Sequence, residues 1–408
     1  MADKAAPAGG RTGAARPRLN LRALAVPLHR YVGLVLAGFL ILSGLTGSIL
    51  VFQREIDAAI NPQLWTVTGD GPRLTPDAIA ARISAWDPRV RARWIPVEPG
   101  KAPDVWVDPK IDPASGTPFV VPFNQVFVDP VSGAIKGERL YGGWWPTRAT
   151  LIPFIDMFHR NLTLPGLWGT WLMGGVALLW AFDCFVGAWL TLPRGRPFLK
   201  KWAPAWTIKA GAAPMRLNFD LHRAAGLWLW GVLLILAVSG VSFNLERQVF
   251  EPVVSMVSPV TESAFESRPM DYGRPATPAF GFDAAIDRAR AAGGIPEGVA
   301  ASGLFYAAEL DGYGVAFGDA YAGLGPTWVY IDGADGHLIE VTRPTGGTGG
   351  DVFARAQLPL HSGQILGLPT RLVVFFAGIA VAGLSVTGVL IWWQRRRARR
   401  RRGSRSRS

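Results

Sequence analysis

The chain has five histidines in 408 residues, and four of them stand beside long apolar runs. His29, in LHRYVGLVLAGFLILSGLTGSILVF, and His222, in LHRAAGLWLWGVLLILAVSG, each enter such a run directly. His159, in FHRNLTLPGLWG, and His361, in LHSGQILGLP, each precede one across a short break. A neutral imidazole is the commonest metal ligand, and an ionisable group at membrane depth is a functional candidate by default. Arg30, Arg160 and Arg223 directly follow three of these histidines. A guanidinium forks onto a carboxylate, so the three are candidates for holding an anionic group beside the ligands; a lipid headgroup is the equal alternative. Asp183 lies inside the run after His159, placed for an arginine, for a proton path or for a polar contact between helices. His337 falls in a soluble stretch and fits no pair. Other chemistry is sparse. The single Cys184 excludes a disulfide framework and a four-cysteine metal site. No nucleophile–base–acid set can be assembled, and no GxGxxG follows a strand.

The elements that must position these histidines come in two copies. With His29 aligned on His222, no gap is needed, and Gly33, Gly38, Gly47 and Arg54 fall on Gly226, Gly231, Gly240 and Arg247. Each copy is long enough to cross a bilayer as a helix. The predicted order is a basic tail over 1–28, a first crossing over 29–52, a soluble α+β module over 53–158, and a His segment plus second crossing over 159–192. A basic loop over 193–221, a third crossing over 222–244 and a second module over 245–360 follow. A His segment plus fourth crossing over 361–393 and an Arg-rich tail over 394–408 complete it. In the modules, DVWVDP reads as a strand, NQVFVDPVSGAIKGE and TWVYIDGADGHLIEV as hairpins, and Thr75 to Trp86 as a helix begun by Pro76. The fold class is an α-helical membrane protein built from a duplicated helix–module–helix unit.

Charge sets an expected orientation. The tail, the basic loop and the C-terminal run, counting Arg30 and Arg223, hold about 22 of the 42 Lys and Arg, against Asp3 and Asp220. The two modules hold about 20 basic and 27 acidic residues. The positive-inside rule then puts both termini in the cytoplasm and both modules outside an inner membrane. The Arg-rich tail reads as a membrane anchor on lipid headgroups rather than a nucleic-acid contact. His29 and His222 then begin helices at the inner face, and His159 and His361 precede helices at the outer face. Two imidazoles at each face, one from each half, is what two axially ligated metals need: a haem iron takes one ligand above and one below its plane. The spacing yields a pairing and leaves the metal open. Glycines on the four runs suit a flat macrocycle between helices, or close helix packing with no cofactor.

The four His-bearing segments quoted above resemble the PepSY-associated transmembrane family, over about 24–397, and the two hairpins resemble its PepSY modules. Members are often described as iron-regulated membrane proteins, some as haem-containing reductases of ferric siderophores. The resemblance implies four helices, two outer PepSY-like modules and a membrane haem pair, with His29, His159, His222 and His361 as the ligands. The expected protein is an oxidoreductase with two haem b groups: His29 and His222 hold the inner one, His159 and His361 the outer. Its expected acceptor is a ferric siderophore or other ferric chelate, and its donor quinol or a cytoplasmic reductase. A second class stays open, a cofactor-free membrane regulator whose PepSY modules inhibit a peptidase or bind a protein.

Overall fold

The computed structural model describes residues 20–97, 100–272 and 278–405. Most of the expected basic tail, 1–19, lies outside the described residues, as do 406–408 of the C-terminal tail. In chain order the helices and strands are α1 (Leu21–Leu50), α2 (Gln53–Ile60), α3 (Pro62–Trp65), α4 (Pro76–Trp86), β1 (Val90–Pro96), β2 (Asp104–Pro109), β3 (Gln125–Val128), β4 (Ile135–Arg139), α5 (Leu151–Asn161) and α6 (Trp168–Thr191). Then come α7 (Phe198–Trp202), α8 (Pro214–Trp228), α9 (Trp230–Asn244), α10 (Glu251–Ser255), α11 (Phe282–Gly293), β5 (Ala301–Ala307), β6 (Gly312–Phe317), β7 (Thr327–Asp332), β8 (Leu338–Thr342), α12 (Gly349–Ser362) and α13 (Leu368–Arg405).

Among the described residues three helices, α1, α6 and α13, are long and apolar enough to cross a membrane. The pair α8–α9 qualifies only as one broken span, bent by 68° between Trp228 and Trp230. No proline marks the break; Gly226 and Gly231 flank it, and the two indoles pin its sides. Trp228 Nε1 donates to the Trp206 carbonyl at 3.1 Å and Trp230 Nε1 to the Cys184 carbonyl at 3.0 Å. Helices α1 and α13 meet backbone to backbone where Gly44 faces Gly378, since a Cβ on either would strike the other's carbonyl. The Ser48 hydroxyl bridges there, 2.9 Å from the Gly44 carbonyl and 2.8 Å from that of Phe375.

Several expected boundaries move. Helix α1 starts at Leu21, eight residues before His29, so His29 lies inside it rather than at its start. His222 likewise lies within α8, which begins at Pro214. His159 and His361 sit in the last turns of the separate helices α5 and α12. Leu162 and Thr163, with φ of 56° and 54°, end α5 in the left-handed region before α6 begins. Helix α13 does not stop at 393 but runs on through the arginines to Arg405, for arginine is a good helix former.

The largest correction concerns the modules. Both hairpins form as predicted, and α4 is capped by Thr75. The two modules are not separate bodies, however. They share one antiparallel sheet of eight strands, in the order β4-β3-β2-β1-β5-β6-β7-β8. The halves join where Trp94, Ile95 and Pro96 pair with Phe305, Leu304 and Gly303. Helices α4 and α11 supply Ile79, Ile83, Ala285 and Ala289 to a core with Val90, Ile95, Val105, Val126, Leu304, Val315 and Ile331. They also cap each other. Asp77 on α4 accepts the Phe282 and Asp283 amides at 2.7 and 3.0 Å, and Asp283 accepts the Asp77 amide at 3.3 Å.

Candidate functional site

The structure brings the four expected histidines together as two pairs. The His29 and His222 rings lie with centroids 6.2 Å apart, and those of His159 and His361 6.1 Å apart. His29 is on α1 and His222 on α8, near the basic loop; His159 is on α5 and His361 on α12, near the sheet. Thr46, which touches His159, stands seventeen residues beyond His29 on α1. At 1.5 Å per residue that is about 25 Å of helix, close to the thickness of a bilayer's hydrocarbon core.

In each ring Nδ1 is already engaged. His29 Nδ1 lies 2.9 Å from Asp183 Oδ1. His222 Nδ1 lies 3.0 Å from both the Leu384 carbonyl and Thr387 Oγ1. His159 Nδ1 lies 2.9 Å from Thr46 Oγ1, and His361 Nδ1 2.7 Å from Ser239 Oγ. A carbonyl and a carboxylate only accept, so His29 and His222 donate from Nδ1. The Thr46 and Ser239 hydroxyls spend their own protons on the Leu42 and Ile235 carbonyls, both at 2.7 Å, so they too accept from the imidazoles. All four rings are thereby assigned the Nδ1–H tautomer, which leaves the Nε2 lone pair for a ligand. This is the arrangement by which outer hydrogen bonds orient metal-binding histidines.

The spacing fits a metal between each pair. Two imidazole nitrogens at about 2.0–2.1 Å from a metal, with roughly 1.15 Å from nitrogen to ring centre, put the centroids of a linear pair about 6.3–6.5 Å apart. The observed 6.2 and 6.1 Å lie just below that range. The glycines seat the rings: a Cβ on Gly47 would come 3.0 Å from His159 Cε1, one on Gly187 3.2 Å from His29 Cε1, and one on Gly388 3.2 Å from His222 Cε1. Other glycines serve helix packing, Gly174 against Leu245 and Gly240 against Ala177, while Gly33, Gly38, Gly226 and Gly231 face open space.

A cavity of about 450 Å³ opens at the His29–His222 pair. Its lining is mainly apolar but includes Arg22, Arg30, Arg223 and Arg395. That combination suits a large apolar ligand with anionic groups. The three expected arginines differ in their surroundings. Arg223 is committed to Asp220 at 3.0 Å and to the Pro204 and Ala205 carbonyls. Arg160 pairs with Asp156 at 3.0 Å. Arg30 and Arg223 both line the cavity, and with Arg223 tied to Asp220, Arg30 fits the anion-holding role best. At the sheet end Asp156 also accepts from Tyr141 Oη at 2.5 Å; burial and the Asp156 carboxylate push this phenol far up, so it stays a donor.

Residues 26–395 match the family model described as the PepSY-associated TM region. The chain belongs to this family. No curated protein matches it. As a PepSY-associated membrane protein it carries a sheet domain and a helix bundle that holds the paired histidines. His337 stays outside this arrangement, exposed and 2.7 Å from Asp335. Trp144, Trp145, Trp168 and Trp171, expected near the outer end of the second span, are all exposed.

Residue types alone did not disclose Thr46 and Ser239. The signal was present: each stands seventeen residues beyond the histidine of its own copy, directly before an aligned glycine. Leu384, acting through a backbone carbonyl, has no signal of residue type at all.

Proposed function

We propose that the protein is a four-span inner-membrane electron carrier that holds two haem b groups and reduces a ferric chelate, such as a ferric siderophore, outside the cell. His29 and His222 hold one group and His159 and His361 the other. The broken pair α8–α9 serves as the third span, with both termini in the cytoplasm and the sheet domain outside. The observation that carries this reading is the two imidazole pairs at opposite ends of the bundle, each at metal-bridging separation and each with its Nδ1 protons engaged.

A haem iron, when bound, supplies one-electron exchange between ferric and ferrous states. The chain's own residues do the rest. The four Nε2 atoms ligate. Asp183, Leu384, Thr46 and Ser239 fix tautomer and ring direction. Arg30 offers a cation to a carboxylate of the group at its end. The apolar helices keep water and stray oxidants from the centres. At the sheet side, reduction of ferric to ferrous iron weakens a hard-oxygen chelate and releases its metal. Quinol or a cytoplasmic reductase supplies the electrons, since the chain has no dinucleotide fingerprint of its own.

Anaerobic stopped-flow mixing tests the reading. Dithionite-reduced protein should be reoxidised by a ferric siderophore, with ferrous iron trapped by a chromogenic chelator. Haem that stays reduced with every ferric chelate but is reoxidised by another acceptor would remove iron from the reading. A colourless protein from haem-replete cells would leave the cofactor-free regulator in its place.

A further inference from the structure

The two halves of the bundle build the His29 and His222 seats on the same plan but with different acceptors. Gly187 on α6 stands beside the His29 ring, and Gly388 on α13 beside the His222 ring. One helical turn before each glycine lies the group that accepts the ring's Nδ1 proton. Before Gly388 this is the Leu384 carbonyl, at 3.0 Å, with the Thr387 hydroxyl also 3.0 Å from the same nitrogen. Before Gly187 it is not a carbonyl but the Asp183 carboxylate, at 2.9 Å and in a residue only 8% exposed. At the other end of the bundle both acceptors are hydroxyls, Thr46 and Ser239. Of the acceptors on the four rings, Asp183 alone is an acid. A buried carboxylate is costly, and a purely structural acceptor was available from the backbone, as the sister seat shows.

We propose that Asp183 is a positioning residue that, through His29, sets the centre at the basic-loop end to a lower reduction potential than the centre at the sheet end, so that electron flow toward the sheet is downhill. The inference rests on the two-haem reading above. An imidazole that donates to a carboxylate is a more basic ligand than one that donates to a hydroxyl. The added electron density, and the negative charge behind it in a low-dielectric bundle, favour the ferric over the ferrous state. With haem held at both imidazole pairs, one electron would pass from the His29–His222 end to the His159–His361 end, the first centre oxidised by one electron and the second reduced by one. No proton or bond changes hands. The direction of transfer is thereby written into one side chain.

Spectroelectrochemical titration of the purified, haem-loaded protein tests this. Two one-electron waves are expected. His361→Ala, which leaves only the centre at the basic-loop end intact, should keep the lower wave; His222→Ala should keep the higher. Asp183→Asn should raise the lower wave by at least a tenfold change in equilibrium constant, 59 mV for one electron, and leave the higher wave in place. Asp183→Glu should restore the low value. An Asp183→Asn protein with both waves unmoved, or both moved equally, would overturn the inference and leave the two-haem reading intact. So would the higher wave surviving in His361→Ala, an outcome that decides even where Asp183→Asn fails to fold. Haem content, measured first, separates these results from a failure of the reading itself: a chain without haem removes both.

Discussion

Each imidazole in the bundle takes its direction from the partners of its Nδ1, and where there is one partner the cost of losing it is predictable. Ser239→Ala takes away the acceptor of the His361 Nδ1 proton without altering a ligand. Loss of such an outer partner typically costs 10–100-fold in metal affinity. Haem retained at the sheet end after dilution should fall accordingly, while the spectrum of the other centre is unchanged; an unaltered retention would argue against the assigned tautomer. Sterics give a second test. Gly388→Leu puts a branched side chain where even a Cβ lies 3.2 Å from His222 Cε1, so the ring must leave its seat. Loss of the haem at the basic-loop end alone is expected, read from the difference spectrum. The histidines were legible because they are few and because the duplication repeats them at matched positions. Their partners were not, for a hydroxyl in an apolar helix usually bonds to its own backbone, as Thr46 and Ser239 also do.

Elements join at points where buried charge is paired. Asp57 on α2, just beyond the first span, accepts from Arg139 at the end of β4 at 2.7 Å, and both side chains are about 4% exposed. Asn61 and Trp65 complete the Asp57 shell at 2.8 and 3.2 Å. Removing one partner strands the other, so Asp57→Ala should destabilise the junction by about 3–5 kcal/mol in a thermal or denaturant melt. The first hairpin has an acid-sensitive counterpart. Burial pushes the Asp129 carboxyl up, but hydrogen bonds from Thr68 and from the Ser132, Thr68 and Val131 amides outweigh it and hold the group well below the usual carboxylate range. A lowered folded value means stability that is present at neutral pH and lost as pH falls through that value. Asp129→Asn should therefore cost most at neutral pH and progressively less below about pH 4; a cost independent of pH would contradict it. At this scale the strands, hairpins and capped helix were legible from Asp–turn–Gly patterns and Thr75-Pro76. The union of the two modules was not. It depends on Trp94 pairing with Phe305, 211 residues further along (305 less 94), and neither strand carries a local mark of its partner.

The sequence divides its charge unevenly between the basic segments and the sheet domain, and the proposed orientation rests on that division. After Cys184 is replaced by Ser, a cysteine at the exposed Ser115 of the sheet domain should react with an impermeant thiol reagent in intact spheroplasts, and one at the exposed Lys200 should not. The reverse pattern would invert the proposed topology and, with it, the side on which a chelate is reduced. The proposed function requires one haem between each imidazole pair. It is tested most directly by the haem-to-protein ratio of the purified chain from haem-replete cells, determined by pyridine haemochrome beside quantitative amino-acid analysis. Two haem b per chain are expected, falling to one in His222→Ala and in His361→Ala, and remaining two in His337→Ala. A ratio near zero in the unaltered protein, or a ratio of two that survives the loss of His222 or His361, would contradict the account.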